Sequence, residues 1–391
     1  MQRPLAATTS SQAPADHLAP VYAQFPLQVT DARGVYLHTP DGRRVLDLYG
    51  GHAVAVLGYG HPRWLAALNT QAQALCFQTN AVPLDVRTRA ATRLARFCGL
   101  GLDTVFFVNS GAEANENALK LACKMTGGTE VVAVRGGFHG RTAAAGAVTW
   151  GAKEKWYGFP SAPFEVKFIS PEDIDRLDTV IGARTAAVIV EPVQGMAGAV
   201  DLPKAFLEAL RLRCSENGTV LIFDEVQCGV GRTGAPFAAN LYGVTPDIIT
   251  TAKALGAGFP VSAMLVADHV ASYLELDSLG TTFGGGPLAC AVVEAVIDII
   301  ESENLLENVR ARSAQIREQC LVGPVTGTQG AGLLLGLRTS RPAKEVHTEL
   351  LQQNILTGTS ADPHVLRILA PYVLTSEHVE QLRDALARIA P

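Results

Sequence analysis

The stretch "TVLIFDEVQCGVGRTG", residues 219–234, runs an apolar strand into two adjacent acids and then three spaced glycines. Gly229, Gly231 and Gly234 fit the G-x-G-x-x-G spacing of a dinucleotide loop. Such a loop needs its first glycine directly after a strand, a helix opening on the motif, and an acid about 20 residues on to hold a ribose hydroxyl. Here Asp224 and Glu225 intervene between the strand and Gly229, Pro236 follows Gly234, and position 254 is Ala. The context excludes a nucleotide loop. What remains is a carboxylate at the end of an apolar strand, the rim where α/β sheets bind ligands; taken alone, Asp224 reads as a helix N-cap or a solvated strand end.

Outward from this strand, short continuous apolar runs recur between helical stretches: "TVFFV" (104–108), "EVVAV" (130–134), "AAVIV" (186–190), "DIIT" (247–250) and "SAMLVA" (262–267). Runs of this kind are strands buried on both faces, and their alternation with helices predicts an α/β fold with a mostly parallel central sheet flanked by helices. Residues 28–50 read as a meander of strands broken at 31–34 and at Asp41-Gly42, and residues 287–320 as one long helical segment. It leads to a C-terminal α+β unit with strands in "GLLLGLRT" (332–339) and "VLRILAP" (365–371). The expected organisation is a flexible tail over 1–20, an N-terminal part of a small domain over 21–50, a large domain over 51–290, and a linking helix with the C-terminal small domain over 291–391.

The strand ends carry the chemistry. "DIITTAKALGAGFP" (247–260) places Lys253 just past a strand among small residues, where lost solvation lowers an amine's pKa, as a nucleophilic lysine requires. "TVFFVNSGAEANE" (104–116) is a strand, a turn and a helix start. Ser110 and Glu113 satisfy a capping box, and the free N–H groups of Gly111 and Ala112 can face an anion along the helix dipole. A strand-end acid, a desolvated lysine and an anion-binding helix start together meet the needs of pyridoxal phosphate: an amine for its aldehyde, a carboxylate for its ring nitrogen, and a cradle for its phosphate.

Composition narrows the partners. Thirty-seven acids against 32 basic residues give a formal charge of −5, so no electrostatic footprint points to nucleic acid. No stretch reaches the length of a membrane span, and the first residues lack a secretory pattern. Seven scattered cysteines without a C-x-x-C pair argue against a disulfide framework or a metal site and for a reducing, cytoplasmic setting.

In "NSGAEANE" (109–116), "GGFHGRT" (136–142), "EPVQG" (191–195), "FDEVQCGVGRTG" (223–234), "TAKALGAGFP" (251–260) and "TTFGGGPLAC" (281–290) the chain resembles the class III, or ω-, aminotransferases of pyridoxal phosphate fold type I, from about Val21 to the C-terminus. The resemblance implies Lys253 as the Schiff-base lysine and proton carrier, and Asp224 on the ring nitrogen. It implies Gln227 at the ring hydroxyl, Phe138 and Val226 on the two ring faces, and Ser110, Gly111 and Ala112 at the phosphate. It further implies Thr282 reaching the phosphate of a neighbouring subunit, hence a homodimer with shared sites. Arg141, with Thr281 nearby, would grip a substrate carboxylate, and a planar fork suits that task. Arg367 corresponds to a second carboxylate arginine, although a salt-bridged strand residue accounts for it equally at this point. His139 reads as a structural histidine and Glu191 as a supporting polar contact. Tyr22 and residues 51–54 fall at the substrate entrance.

The implied reaction moves an amino group from an ω-amino donor, N-acetylornithine by resemblance, to 2-oxoglutarate. 4-Aminobutyrate, ornithine, succinylornithine and carrier-linked lysine remain open as donors, as does a non-catalytic scaffold that kept the cofactor. Two departures bear on substrate: Met196 stands where many relatives carry Glu after "EPxQG", and Gly286 where they carry Asn.

Overall fold

The computed structural model describes residues 17–391. Most of the tail expected over 1–20 therefore lies outside the described residues. Residues 17–30 form no helix or strand, yet Phe25 already packs against Tyr49 and His347, with ring centroids 5.7 and 5.1 Å apart.

Seven strands form the central sheet: β1 (Thr104–Val108), β2 (Glu130–Val134), β3 (Glu165–Ile169), β4 (Thr185–Val190), β5 (Val220–Asp224), β6 (Ile248–Thr251) and β7 (Ser262–Val266). Their spatial order is β1-β7-β6-β5-β4-β2-β3, and only β7 runs against the others. The short segment between β6 and β7 holds no helix long enough for a parallel crossover, so β7 returns antiparallel. Every residue of β2, β4, β5, β6 and β7 is buried, which is why they read as unbroken apolar runs. β3 was not expected from the sequence. It lies at the sheet's edge, and "EVKFI" keeps charged side chains that half-exposure tolerates.

Besides a two-stranded pair (Val193–Gln194 with Val200–Asp201) there are two four-stranded sheets, the first of which joins the chain's ends. Asp31–Arg33, Tyr36–His38 and Arg44–Asp47 pair antiparallel, and Ile355–Leu356 adds to them in parallel. Val325–Ala331, Leu334–Thr339, Val365–Ile368 and Gly358–Thr359 form the other. Asp31–Arg33 is thus a strand, where a break at 31–34 was expected; the turn falls at Gly34 and Val35. The predicted long helix is also two, Pro287–Ser302 and Leu305–Gln319, because Asn304 adopts a left-handed conformation (φ 52°) between them. Among the described residues no helix is long and apolar enough to cross a membrane, and all seven cysteines are free.

The glycines that imitate a nucleotide loop serve a different purpose. Gly231 (φ 91°) and Gly234 (φ 85°) curl the chain around Arg232. The Arg232 side chain is fully buried and donates to the carbonyls of Ala53, Leu333 and Ala370 across three separate segments. Its guanidinium lies 4.7 Å from the Tyr372 ring centroid. Glu225, not Asp224, does the helix-start work once attributed to Asp224: its carboxylate accepts the N–H groups of Ala238 and Ala239. Burial pushes its pKa up to about 8 against those two bonds.

Candidate active site

The carboxyl ends of the parallel strands converge on a cavity of about 410 Å³. β1 delivers Ser110, Gly111 and Ala112; the segment after β2 delivers Phe138 and Arg141; β5 delivers Asp224, Val226 and Gln227; and β6 delivers Lys253. All nine line that one cavity, so residues spread over some 140 positions meet at the rim expected of an open α/β sheet.

Asp224 ends β5 and is only 2% exposed. Oδ1 accepts the Val226 N–H at 3.0 Å; Oδ2 accepts Asn115 Nδ2 at 2.7 Å and faces His139 Nδ1 at 2.8 Å. Asn115 also donates to the His139 carbonyl (2.7 Å) and accepts the Thr250 hydroxyl (2.6 Å). The carboxylate is therefore held in one orientation by donors from three elements. His139 serves this structural purpose, with its Nε2 left without a partner among the described residues.

Lys253 opens a short 3-10 turn after β6 with φ 44°, a left-handed value that costs a non-glycine residue about 1–2 kcal/mol. No acid among the described residues lies within ion-pair distance of its amine. Burial lowers its pKa from the ordinary lysine value, with Asp224 and Glu191 acting in the opposite sense. Glu191 accepts the Phe138 N–H at 2.7 Å and the Gly195 N–H at 3.4 Å. Its carboxyl pKa is pushed up to about 7, by burial first and by Asp224 next.

At the helix Gly111–Thr126, Ser110 Oγ accepts the Glu113 N–H at 3.2 Å, but the Glu113 carboxylate bonds the Asn109 N–H (2.9 Å) instead of Ser110. Only half of the expected capping box forms. Gly111 and Ala112 begin the helix, so their N–H groups have no intrahelical partner and suit an anion at the cavity's edge. Gln227 lines the cavity and is buried, and its Oε1, unpartnered among the described residues, lies against Gly195, where an added Cβ would collide with it. An anion cradle, a fixed carboxylate, an unpaired amine and an orphaned amide oxygen fit a phosphate-bearing heteroaromatic aldehyde.

Other expected residues lie apart. Thr282 is exposed and does not line the cavity. Thr281 is second to the wall: its Oγ1 accepts Asn109 Nδ2 at 3.2 Å. Arg367, 2% exposed, stands behind Met196, with Nη1 donating to the Gly195 carbonyl (3.2 Å) and contacting Met196 Sδ (3.4 Å), and Nε donating to the Thr359 carbonyl (2.7 Å). No acid within ion-pair distance among the described residues neutralises it, so the salt-bridged reading fails. Burial draws its pKa below the usual guanidinium value. Tyr22 is 77% exposed and away from the cavity, whereas Val54 lines it. Gly286 takes an ordinary extended conformation (φ −60°, ψ 153°) before the helix Pro287–Ser302, so its backbone angles do not require glycine, but an added Cβ would lie 3.1 Å from the Phe283 carbonyl oxygen.

Asn115 was missed from the sequence. It occupies the apolar stripe of its helix beside Ala114, Ala118, Leu119 and Ala122, all buried, and a polar residue in a core stripe was the available signal.

A seven-stranded mixed sheet with this site at its rim is the architecture of a pyridoxal-phosphate transaminase. The chain belongs to the class-III aminotransferases, whose family model matches residues 18–390. It is 36% identical over 384 residues to an acetylornithine aminotransferase of Methanocaldococcus jannaschii, covering 94% of each chain. It is 39% identical over 384 residues to one of Mesorhizobium japonicum, again covering 94% of each. It superposes on the ornithine aminotransferase of Toxoplasma gondii, crystallised with partial occupancy of PLP at its active site, with TM-score 0.87 and 29% identity, covering 95% of this chain and 91% of that one.

Proposed function

We propose that the chain is a pyridoxal-phosphate-dependent aminotransferase acting on N-acetylornithine as ω-amino donor and 2-oxoglutarate as acceptor, a step of arginine biosynthesis. The observation that carries this reading is the unpaired, desolvated Lys253 amine sharing one cavity with the fixed Asp224 carboxylate and the free N–H groups of Gly111 and Ala112. When bound, the cofactor supplies an aldehyde for the amine and an electron-withdrawing ring for the reacting carbon.

The chain's own residues do the rest. Ser110, Gly111 and Ala112 bind the phosphate, Phe138 and Val226 confine the ring, and the Gln227 side chain meets the ring hydroxyl. Asp224, held by Asn115 and His139, keeps a proton on the ring nitrogen. Lys253 Nζ would carry the proton at the substrate's amine-bearing carbon, a task served by its lowered pKa. Arg141 orients a substrate carboxylate. Arg367 is the second carboxylate site, reached when Met196, a flexible thioether, moves aside.

The proposed assembly is a cytoplasmic homodimer in which Thr282 faces the partner's cofactor phosphate. Exposed Phe77 (42%), Val82 (40%) and Phe283 (67%), together with a helix Pro62–Ala74 that has no buried residue, support an apolar contact surface beside the site. The experiment is a donor panel on the purified enzyme with 2-oxoglutarate: glutamate should form in step with the semialdehyde, fastest from N-acetylornithine. If ornithine, 4-aminobutyrate or succinylornithine exceeds it, the donor is reassigned; if no amine yields glutamate, the enzyme reading fails.

A further inference from the structure

Arg141, the one exposed cation lining the cavity among the described residues, sits on a segment that is itself anchored from below. The Glu116 carboxylate, one turn beyond Ala112 on the same helix, accepts the Thr142 hydroxyl (2.6 Å), the Ala144 N–H (3.0 Å) and the Ala145 N–H (2.9 Å). No cation among the described residues pairs with it. Gly140 meanwhile lies so close to Ala112 that an added Cβ would come within 2.6 Å of the Ala112 Cβ. The residues on either side of Arg141 are therefore both pressed onto the helix whose first turn faces the cavity. Above the backbone, the guanidinium stands 5.1 Å from the Phe138 ring centroid and 5.6 Å from that of Trp156.

We infer that Glu116 is the positioning residue for Arg141, fixing how far the carboxylate-binding guanidinium stands from the phosphate cradle and thereby which length of ω-amino acid the enzyme accepts, with Trp156 steadying the guanidinium. The inference rests on the reading of Arg141 as the carboxylate arginine. A carboxylate suits position 116 because Oε2 accepts from all three donors and Oε1 shares the Ala144 N–H, the contact at which an amide would set its own NH₂ against a backbone N–H. The cradle at Gly111 and Ala112 and the anchor at Glu116 lie on one rigid helix, so the span between phosphate and substrate carboxylate is set by helix geometry and not by a mobile loop. Nothing in this role requires Glu116 to touch substrate.

The test compares holoenzyme carrying Glu116→Gln, Trp156→Leu or Arg141→Met. Calorimetric titration with glutarate, a dicarboxylate that cannot react, reads carboxylate binding without turnover. Steady-state rates with 4-aminobutyrate, 5-aminopentanoate, 6-aminohexanoate and butylamine read length selection and its dependence on the carboxylate. Glu116→Gln should weaken glutarate and raise the KM of the preferred ω-amino acid about tenfold, flatten the preference among the three lengths, and leave kcat/KM for butylamine unchanged. Trp156→Leu should weaken glutarate about two- to fivefold, and it carries the test should Glu116→Gln fail to fold. If Arg141→Met weakens glutarate while Glu116→Gln and Trp156→Leu leave it within twofold, the positioning role is wrong and the carboxylate reading stands. If Arg141→Met leaves glutarate binding intact, the carboxylate reading itself is wrong. An equal loss for butylamine and the ω-amino acids in Glu116→Gln also overturns the inference.

Discussion

Replacing Met196 with Glu tests whether Arg367 is a working carboxylate site. The arginine is 2% exposed, its guanidinium is satisfied only by the Thr359 and Gly195 carbonyls and the Met196 thioether, and no acid pairs with it among the described residues. Glu and Met side chains are similar in length, so a carboxylate oxygen from position 196 would fall near Nη1, where Sδ now lies at 3.4 Å. At about 4 Å and an effective dielectric of 20 the attraction is about 4 kcal/mol, and burying the new carboxylate costs several kcal/mol against it. A hydrogen bond to a charged group contributes about 1.5–3 kcal/mol net, and a substrate carboxylate would first have to displace it. The expected outcome is a KM for 2-oxoglutarate raised roughly 10- to 100-fold. The KM for a monocarboxylate ω-amine should change less than about threefold, because Arg141 suffices for it. Initial rates at varied acceptor and saturating donor, then the converse, separate the two. An unchanged acceptor KM, or equal increases in both, would refute the assignment of Arg367 to the acceptor.

Lys253→Ala should lower turnover by roughly 10²–10⁴-fold or more, and the protein saturated with pyridoxal phosphate should no longer change its absorbance on addition of an amine; native-rate turnover would end the proposed mechanism. Asn115→Leu removes a charge-assisted bond to Asp224, worth about 1.5–3 kcal/mol, and orphans the His139 carbonyl and Thr250 hydroxyl at about 1–3 kcal/mol each. Both the urea midpoint and the affinity for pyridoxal phosphate should fall, and an unchanged value for both would contradict the network. His52 is exposed at its surface, yet partial desolvation by its neighbours first, then Arg367, Lys253 and Arg141, lower its pKa to about 4. The native state then binds fewer protons than the unfolded chain between about pH 4 and 6.5, so this contribution to stability is present above pH 6.5 and is lost as pH falls through that window. His52→Gln should accordingly resist urea better than the parent at pH 5 and match it at pH 7.5; a parallel loss in both proteins would show that the folded state does not lower the His52 pKa.

What could be read in the sequence follows from burial. Strands enclosed on both faces have no choice but continuous apolar runs, so β2 and β4–β7 appeared within a residue or so of their ends; β1, half-buried at one edge, showed because its residues are apolar after Thr104, while β3 at the other edge was hidden by the charges that its half-exposure allows. The same constraint explains why Asp224 and Lys253 stood out: a charge that directly follows such a run sits at the sheet's rim. The supporting residues obey a different logic. Asn115, Glu116 and His139 act through bonds to segments between 24 and 135 positions away, and no local pattern records such partners. Even so, two of them left traces, Asn115 as a polar residue in an apolar helical stripe and His139 as a histidine set in a glycine-rich turn. The glycines of 229–234 mark the opposite limit, since a spacing shared with nucleotide loops here admits a buried arginine, and the acids ahead of them, Pro236 behind them and the missing acid at position 254 told the two uses apart. A motif's glycines report where the backbone must bend or approach closely. The charged residues placed at the strand end beside them report what the bend is for.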